Sequence, residues 1–408
     1  MAQLFNTPAF AADPAAAAHG GGKAKHVIYL YMSGGMTHLD TFDPKPQADA
    51  GYHGQKKALN TNVDGIQLSE YLPNLARHAD KLSIIRSMNT TQGAHGPGKY
   101  FMRTGYTQRA SIVHPSAGGW VNKLSEPINK TIPGFITISC GNGHPGAGFM
   151  EPNLQPLPIG DARSGLQNSS IPRQVTESEF HKQLNFRQEL DHDFDEQFAS
   201  GHKDVRAYTE MYNAAVKLMK SEDLEAFDLS KETQTVHKLY GPSQFAKGCL
   251  LARRLVEKGV RFVEVELGGF DWHNDNFGQA AEKLPTVDQA FAALIEDLKI
   301  KGLLDSTLIV LATEFGRTPK LTSAGGRNHF PKAFSCIMAG GGTKGGYVHG
   351  ETNATGTEVI KDKVSAPDFN ASIGHALGLP YDQIIHSASK RPFSMATREG
   401  KPILELFG

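Results

Sequence analysis

Residues 27–32, Val-Ile-Tyr-Leu-Tyr-Met, form a nearly unbroken apolar run that stops at Ser33-Gly34-Gly35. A run this short reads as a strand, and a strand without a polar face must be covered on both sides. Residues 307–312, Thr-Leu-Ile-Val-Leu-Ala, repeat the pattern, and 82–85, 134–139, 261–266 and 334–338 supply further candidate strands. Helical patterning lies between them. From about 175 to 258 it culminates in Phe245, Leu250, Leu251, Leu255 and Val256 on one broad face, with Gly259 just past the end. A second helix spans about 286–301, with Ala290, Leu294 and Leu298 at four-residue steps, and a third starts near Asp368, a good N-cap residue, and stops at Gly378. Strands alternating with helices predict an α/β fold with a mainly parallel central sheet and helices on both faces. Sheets of this kind bind ligands outside the carboxyl ends of their strands. The polar residues just after each strand are therefore the place to look for function.

The 408 residues leave room for one elaborated α/β domain or for two. Our reading treats 26–408 as one domain, with a Gly-, Pro- and Asn-rich loop insertion at about 141–173. Lys plus Arg and Asp plus Glu are both 42, and this balance argues against a nucleic-acid binder. No apolar run approaches the ~20 residues needed to span a bilayer. Cys140, Cys249 and Cys336 are too few and too irregularly spaced for a disulfide framework or a thiolate zinc site, and the last two read as small buried hydrophobes. Residues 7–14, Thr-Pro-Ala-Phe-Ala-Ala-Asp-Pro, resemble the end of a secretory signal with an Ala-x-Ala pattern. They point to export to the periplasm or cell exterior, followed by a flexible lead-in to about residue 25. An ordinary disordered N-terminus is the other reading. No phosphate-binding glycine motif of the nucleotide-loop types occurs.

Four strand-end segments deliver candidate metal ligands. His38, Asp40 and Asp43 follow the first strand. Asp271 and His273 follow the 261–266 strand, with Glu266 just before them. Glu314 follows 307–312, with Arg317 beyond, and Arg327-Asn-His329 precedes the last strand. Carboxylate oxygen and imidazole nitrogen suit zinc, manganese or iron, and with fewer histidines magnesium or calcium. Singly, each residue reads equally well as a turn former, an N-cap or half of an ion pair. Their recurrence matters, because carboxylates buried together without a cation repel one another and lose solvation. A second segment, 92–105, carries Lys99 and Arg103 in a Gly-rich loop. If Lys99 opens a helix, that loop becomes an anion site; otherwise it is a solvated turn.

Ser33-Gly-Gly-Met-Thr-His-Leu-Asp-Thr-Phe-Asp-Pro-Lys45 resembles the opening signature of domain-of-unknown-function family 1501, a sulfatase-like group in the alkaline-phosphatase superfamily. His114-Pro-Ser116, Ala252-Arg-Arg-Leu-Val256, Gly269-Phe-Asp-Trp-His273, Glu314-Phe-Gly-Arg-Thr-Pro319, Gly326-Arg-Asn-His329 and Ala339-Gly-Gly-Gly-Thr-Lys-Gly-Gly346 resemble its later signatures. The resemblance implies an alkaline-phosphatase/sulfatase-like fold. It implies a divalent metal (zinc, manganese, calcium or magnesium) held by Asp271, His273, Glu314 and His329, with Asp40 and His38 or His95 completing the shell. Departures accompany it: His273 follows Asp271 by two residues where the phosphatase pattern has four, and Glu314-Phe315 replaces an Asp-His pair. His95 occupies the place of the sulfatase nucleophile, with Lys99 in place of the usual Arg. The implied activity is metal-dependent hydrolysis of phosphate or sulfate esters, with an anionic ester or polysaccharide as partner, His95, Lys99 and Arg317 at the reacting centre, and Lys99, Arg317 and Arg327 balancing the substrate's charge. The alternative is a catalytically silent binding or structural protein of the cell surface.

Overall fold

The computed structural model describes residues 22–53, 57–167, 169, 171, 174–198 and 203–408, so the signal-like residues 7–14 lie outside the described residues. Its centre is an eight-stranded sheet. In chain order the strands are β1 (His26–Met32), β2 (Leu82–Met88), β3 (Phe135–Ile138), β4 (Leu157–Ile159), β5 (Phe262–Leu267), β6 (Thr307–Ala312), β7 (Phe334–Ala339) and β8 (Tyr347–His349). Their spatial order is β8-β2-β7-β6-β1-β5-β3-β4. Every pairing is parallel except those of β7, which runs antiparallel to both β6 and β2.

The main helices are α1 (His95–Thr104), α2 (Ala117–Leu124), α3 (Glu177–Phe198), α4 (Lys203–Met219), α5 (Gln244–Glu257), α6 (Asn276–Ile300) and α7 (Ala366–Ala376). All seven residues of β1 are buried, because side chains alternate between two covered faces. Ile28, Leu30 and Met32 pack with Leu251 and Leu255 of α5 and Phe291 and Leu294 of α6. Val27, Tyr29 and Tyr31 pack on the other side with Met102 of α1, Trp120 of α2 and Phe369 and Ile373 of α7. The expected architecture, a mainly parallel sheet with helices on both faces, is the one observed.

Several boundaries differ from expectation for identifiable reasons. α6 begins at Asn276, not near 286, since Asp275 caps it by accepting from Gly278 N and Pro285 is accommodated inside the helix. Asp368 is the third residue of α7 and not its cap. Ser365 takes that place in a reciprocal capping box with Asp368. Within 141–173, read as loop, residues 157–159 add β4 to the sheet. Pro158 is tolerated there because β4 is an edge strand, with no further neighbour needing its missing N–H. Cys249 and Cys336 are fully buried.

Candidate metal centre

The carboxyl ends of β1, β2, β5 and β6 and the amino end of the reversed β7 meet on one side of the sheet. β5 ends at Leu267 and a short turn delivers Asp271 and His273. β6 ends at Ala312 and delivers Glu314. β2 leads into α1, whose first residue is His95. His329 precedes β7 on a two-residue antiparallel ribbon that pairs it with Arg317. Gly34, just past β1, is required at its position. Its φ is +122°, and a Cβ there would sit 2.6 Å from Phe270 N and 2.8 Å from Asp271 N. The close approach lets Gly34 N donate to Glu314 Oε1 at 2.8 Å.

Glu314 is fully buried and its Oε1 is 2.8 Å from His95 Nδ1. Burial alone would push the Glu314 carboxyl up, but the bonds from His95 and Gly34 N–H hold it below its ordinary value. The proton of His95 therefore sits on Nδ1, and Nε2 presents a lone pair. His329 is set the same way: its Nδ1 lies 2.8 Å from Gly93 O, a carbonyl that can only accept. Both Nε2 atoms reach Asp271, His95 at 3.2 Å from Oδ2 and His329 at 3.2 Å from Oδ1. His273 Nε2 is 2.9 Å from Asp271 Oδ1, and its Nδ1 is 3.1 Å from Asn328 Oδ1. Burial raises Asp271, yet the Arg317 guanidinium, with His95 and His329, holds it down at about 2. Asp271 is an anion at any ordinary pH.

Three electron-rich atoms, from His95, Asp271 and His329, thus lie within 4.8 Å of one another. His95 Nε2 is buried and makes no hydrogen bond. A proton on that nitrogen would relieve the repulsion, and the Glu314 bond does raise the His95 pKa against the effect of burial. The same bond makes Nε2 a better donor to a cation. A histidine steadied through its far nitrogen by a carboxylate or carbonyl is the arrangement of metal-bound imidazoles. The donor set is one that could hold a divalent metal.

A family model described as "Protein of unknown function (DUF1501)" matches residues 24–407. The chain belongs to that family. No curated protein matches the sequence. Solved structures similar to this DUF1501 chain include Ps i-CgsB, at 13% identity over 87% of this chain and 72% of that one, TM-score 0.41. The PsFucS1 sulfatase from Pseudoalteromonas sp. is similar at 14% identity over 88% and 69%, TM-score 0.39. The phosphonate monoester hydrolase SpPMH from Silicibacter pomeroyi is similar at 13% over 94% and 76%, TM-score 0.39. Scores of this size leave the chemistry of the DUF1501 chain to be argued from its own residues.

Of the residues singled out from sequence, Asp271, His273, Glu314, His329, His95 and Arg317 come together. Asp40 and His38 do not join them. Asp40 is buried under Arg327, accepting from Nε at 2.9 Å and Nη2 at 3.2 Å, and from Asn276 Nδ2 at 2.9 Å. His38 is buried with Nε2 2.9 Å from Gly356 O. Their carboxylate and imidazole are engaged by the fold as the chain turns away from the site after Gly35. Arg317 was expected to balance substrate charge, but it is fully buried. Its Nε donates to Gly35 O at 2.9 Å, Nη1 to Arg327 O at 3.1 Å, and Nη2 to Gly34 O and Asp271. It positions Asp271 instead. Lys99 does not open the helix, since α1 starts four residues earlier at His95. Its Nζ lies 3.9 Å from Glu266 Oε1.

Arg103, one turn further, bonds Glu264 Oε1 from Nε and Glu266 Oε2 from Nη2, each at 2.8 Å. His144 Nε2 also lies 2.9 Å from Glu264 Oε2. Cys140, Glu264 and Glu266 form a second group with ligand-like spacing, but Arg103 already supplies its cation and burial pushes the Cys140 thiol well up. The partnerships of Arg103 and His144 were not foreseen. Their only sequence trace is the alternation of Glu264 and Glu266 with valine.

Proposed function

We propose that the chain is a metal-dependent hydrolase of phosphate or sulfate esters whose metal is held by Asp271, His329 and His95, with His273 as a further ligand at the more exposed side. One observation carries the reading: two imidazole Nε2 atoms, each fixed as a lone-pair donor through its far nitrogen, converge on a single carboxylate. When bound, a divalent metal supplies polarisation of an ester oxygen and activation of water. Glu314 orients His95 through Nδ1, so His95 serves as a ligand and not as the attacking group. Arg317 fixes the Asp271 carboxylate, and Phe315, its ring centroid 5.1 Å from that of His95 and 4.7 Å from that of His329, walls the site.

Elemental analysis of gently purified protein should find about one zinc or manganese per chain. The double variant Asp271→Asn, His329→Ala should have lost it, and equal near-zero metal in both would sink the reading. Hydrolysis of p-nitrophenyl phosphate and p-nitrophenyl sulfate by the metal-loaded protein then separates enzyme from binder. A catalytically silent binding protein is the second reading, favoured by one observation. Lys99, Arg103, Arg317 and Arg327 are each already paired with a carboxylate of the chain. Metal bound without turnover on either ester supports it.

Export to the periplasm or exterior belongs to the same proposal and rests on residues 7–14. Fractionation of the native host with an antibody tests it, and protein confined to the cytoplasm refutes it. No helix among the described residues is long and apolar enough to cross a membrane.

A further inference from the structure

Beyond the carboxyl end of α1 lies a cavity of about 660 Å³, bounded by that helix, the 105–114 loop and the segment 384–399. The metal-ligand candidates do not line it. α1 separates the two places, with His95 at its first turn and Gly105 just past its last, about 15 Å apart at 1.5 Å per residue.

The floor of the cavity is built around His114, which is 2% exposed. The backbone N–H of His114 donates to Tyr100 Oη at 2.7 Å. Tyr100 Oη also lies 2.7 Å from His114 Nδ1, and since this is the one acceptor within reach of the Tyr100 O–H among the described residues, we assign the hydroxyl as the donor and Nδ1 as the acceptor. With Nδ1 an acceptor, the ring proton of the neutral imidazole must sit on Nε2, which has no partner among the described residues. Neutrality is enforced, because burial and the nearby Arg109 guanidinium push His114 down to about 4. The ring is packed between aromatic neighbours. It stacks on Tyr106 at 4.4 Å between centroids and meets the edge of Phe393 at 5.0 Å. Tyr106 is itself pinned, its hydroxyl donating to Ser394 O at 2.8 Å and accepting from Ser394 N at 3.0 Å.

The walls carry three arginines, Arg109, Arg391 and Arg398, against one carboxylate, Glu399. All three arginines are exposed, and none hydrogen-bonds or ion-pairs through its guanidinium with any described residue. This contrasts with the cations around the metal centre, which are all engaged. An unpartnered N–H donor on a largely buried, cavity-lining ring, beneath three uncommitted guanidiniums, is a recognition pattern for oxyanions, and guanidinium forks match them in a bidentate way. The volume falls in the range of small-molecule sites and exceeds what one inorganic anion needs. Phe101, Tyr106 and Phe393 offer apolar surface for a ring-bearing remainder.

We propose that this cavity is a second binding site, separate from the metal centre, for a ring-bearing ligand carrying a sulfate, phosphate or carboxylate group. Nε2–H of His114 donates to that group, and Arg109, Arg391 and Arg398 balance its charge. The inference stands without the hydrolase reading, since no residue is shared between the two sites.

Calorimetric titration of the full-length chain tests it with four probes: inorganic sulfate, inorganic phosphate, a sulfated disaccharide and its unsulfated counterpart. The sulfated disaccharide should bind, and the unsulfated one should bind at least about tenfold more weakly, the loss expected for charge-assisted bonds. Binding of the inorganic anions as tightly as the sulfated sugar would support a site for the free anion with the same residues. Arg391→Ala with Arg398→Ala removes two exposed side chains and should weaken binding by about tenfold or more while metal content stays unchanged. His114→Gln should weaken it similarly, its folding checked by circular dichroism. Asp271→Asn should leave this binding unaltered. Anionic probes that bind no better than the neutral sugar, an arginine double variant that binds like the parent, or loss of binding in Asp271→Asn would each overturn the proposal.

Discussion

Glu264 shows how strongly a single residue is constrained by the pairing around it. It sits in the middle of β5, 2% exposed, between Arg103 and His144. Burial favours the neutral acid, but Arg103 and His144 overcome it and hold the carboxyl at about 2, against an ordinary value of 4.5. Because the folded value lies below the unfolded one, ionised Glu264 stabilises the fold above pH 4.5, and that contribution drains away as pH falls towards 2. Glu264→Gln should therefore destabilise the protein at pH 7 by about 3 kcal/mol, following the ~1.4 kcal/mol per pKa unit. The gap from the parent should shrink steadily below pH 4.5. Urea denaturation at pH 7, 4 and 3 measures it, and a gap independent of pH would contradict the ion pair. The sequence allowed that this face of the strand meets solvent or an ion pair, but did not say with which residue. Glu264 and its partner Arg103 lie 161 positions apart, and alternation with valine gives the strand a face but names no partner.

At the scale of elements, α1 lays one face against the acidic end of β5 and the turn beyond it. His95, Lys99 and Arg103, four residues apart, meet Asp271, Glu266 and Glu264 with Glu266 in turn. The rungs are unequal. Lys99 is partly exposed and 3.9 Å from Glu266, so Lys99→Met should change stability by less than about 1 kcal/mol. Arg103 is buried and serves two carboxylates, so Arg103→Met should cost about 3–5 kcal/mol by leaving them unpaired. Thermal unfolding of the two variants side by side checks the contrast, and equal losses would refute it. The sequence marked Lys99 and Arg103 as basic but left this segment between a solvated turn and a loop before a helix opening at Lys99, because the glycines and Pro97 resemble a loop. They are accommodated since Gly98 packs where a Cβ would lie 3.1 Å from the Phe315 ring. Strands were more readable than helices. The 307–312 run matches β6 in both bounds, whereas Pro285 concealed ten residues of α6.

For the whole molecule, the sheet gathers residues from four separate stretches of chain into one cluster, so a bound metal would clamp β2, β5, β6 and β7 together at their ends. A ligand that binds only the folded state stabilises it by mass action, about 2.7 kcal/mol at a hundred times its Kd. A chelator should accordingly lower the melting temperature of the parent by several degrees and leave Asp271→Asn unmoved. Identical shifts in both would place the metal elsewhere. The sequence disclosed most of this convergence, because Asp271, His273, Glu314 and His329 all fall beside strands that their apolar runs announce. It misassigned Asp40 and His38 for a physical reason. Proximity to a strand end says nothing about which way the chain turns afterwards, and here Gly34 and Gly35 send it under Arg327.

The reversal of β7 has a consequence for how this chain can be rewired. Between β6 and β7 the backbone leaves the sheet at Glu314 and re-enters just after His329, and the ribbon pairing of His329 with Arg317 staples the two crossings together. The tip of that excursion, at Ser323 and Ala324, is exposed. New termini opened there would leave Glu314 and Arg317 anchored to one strand and His329 to its neighbour, with the staple intact between them. The tip is thus the natural place for circular permutation or for grafting a foreign segment over the mouth of the site.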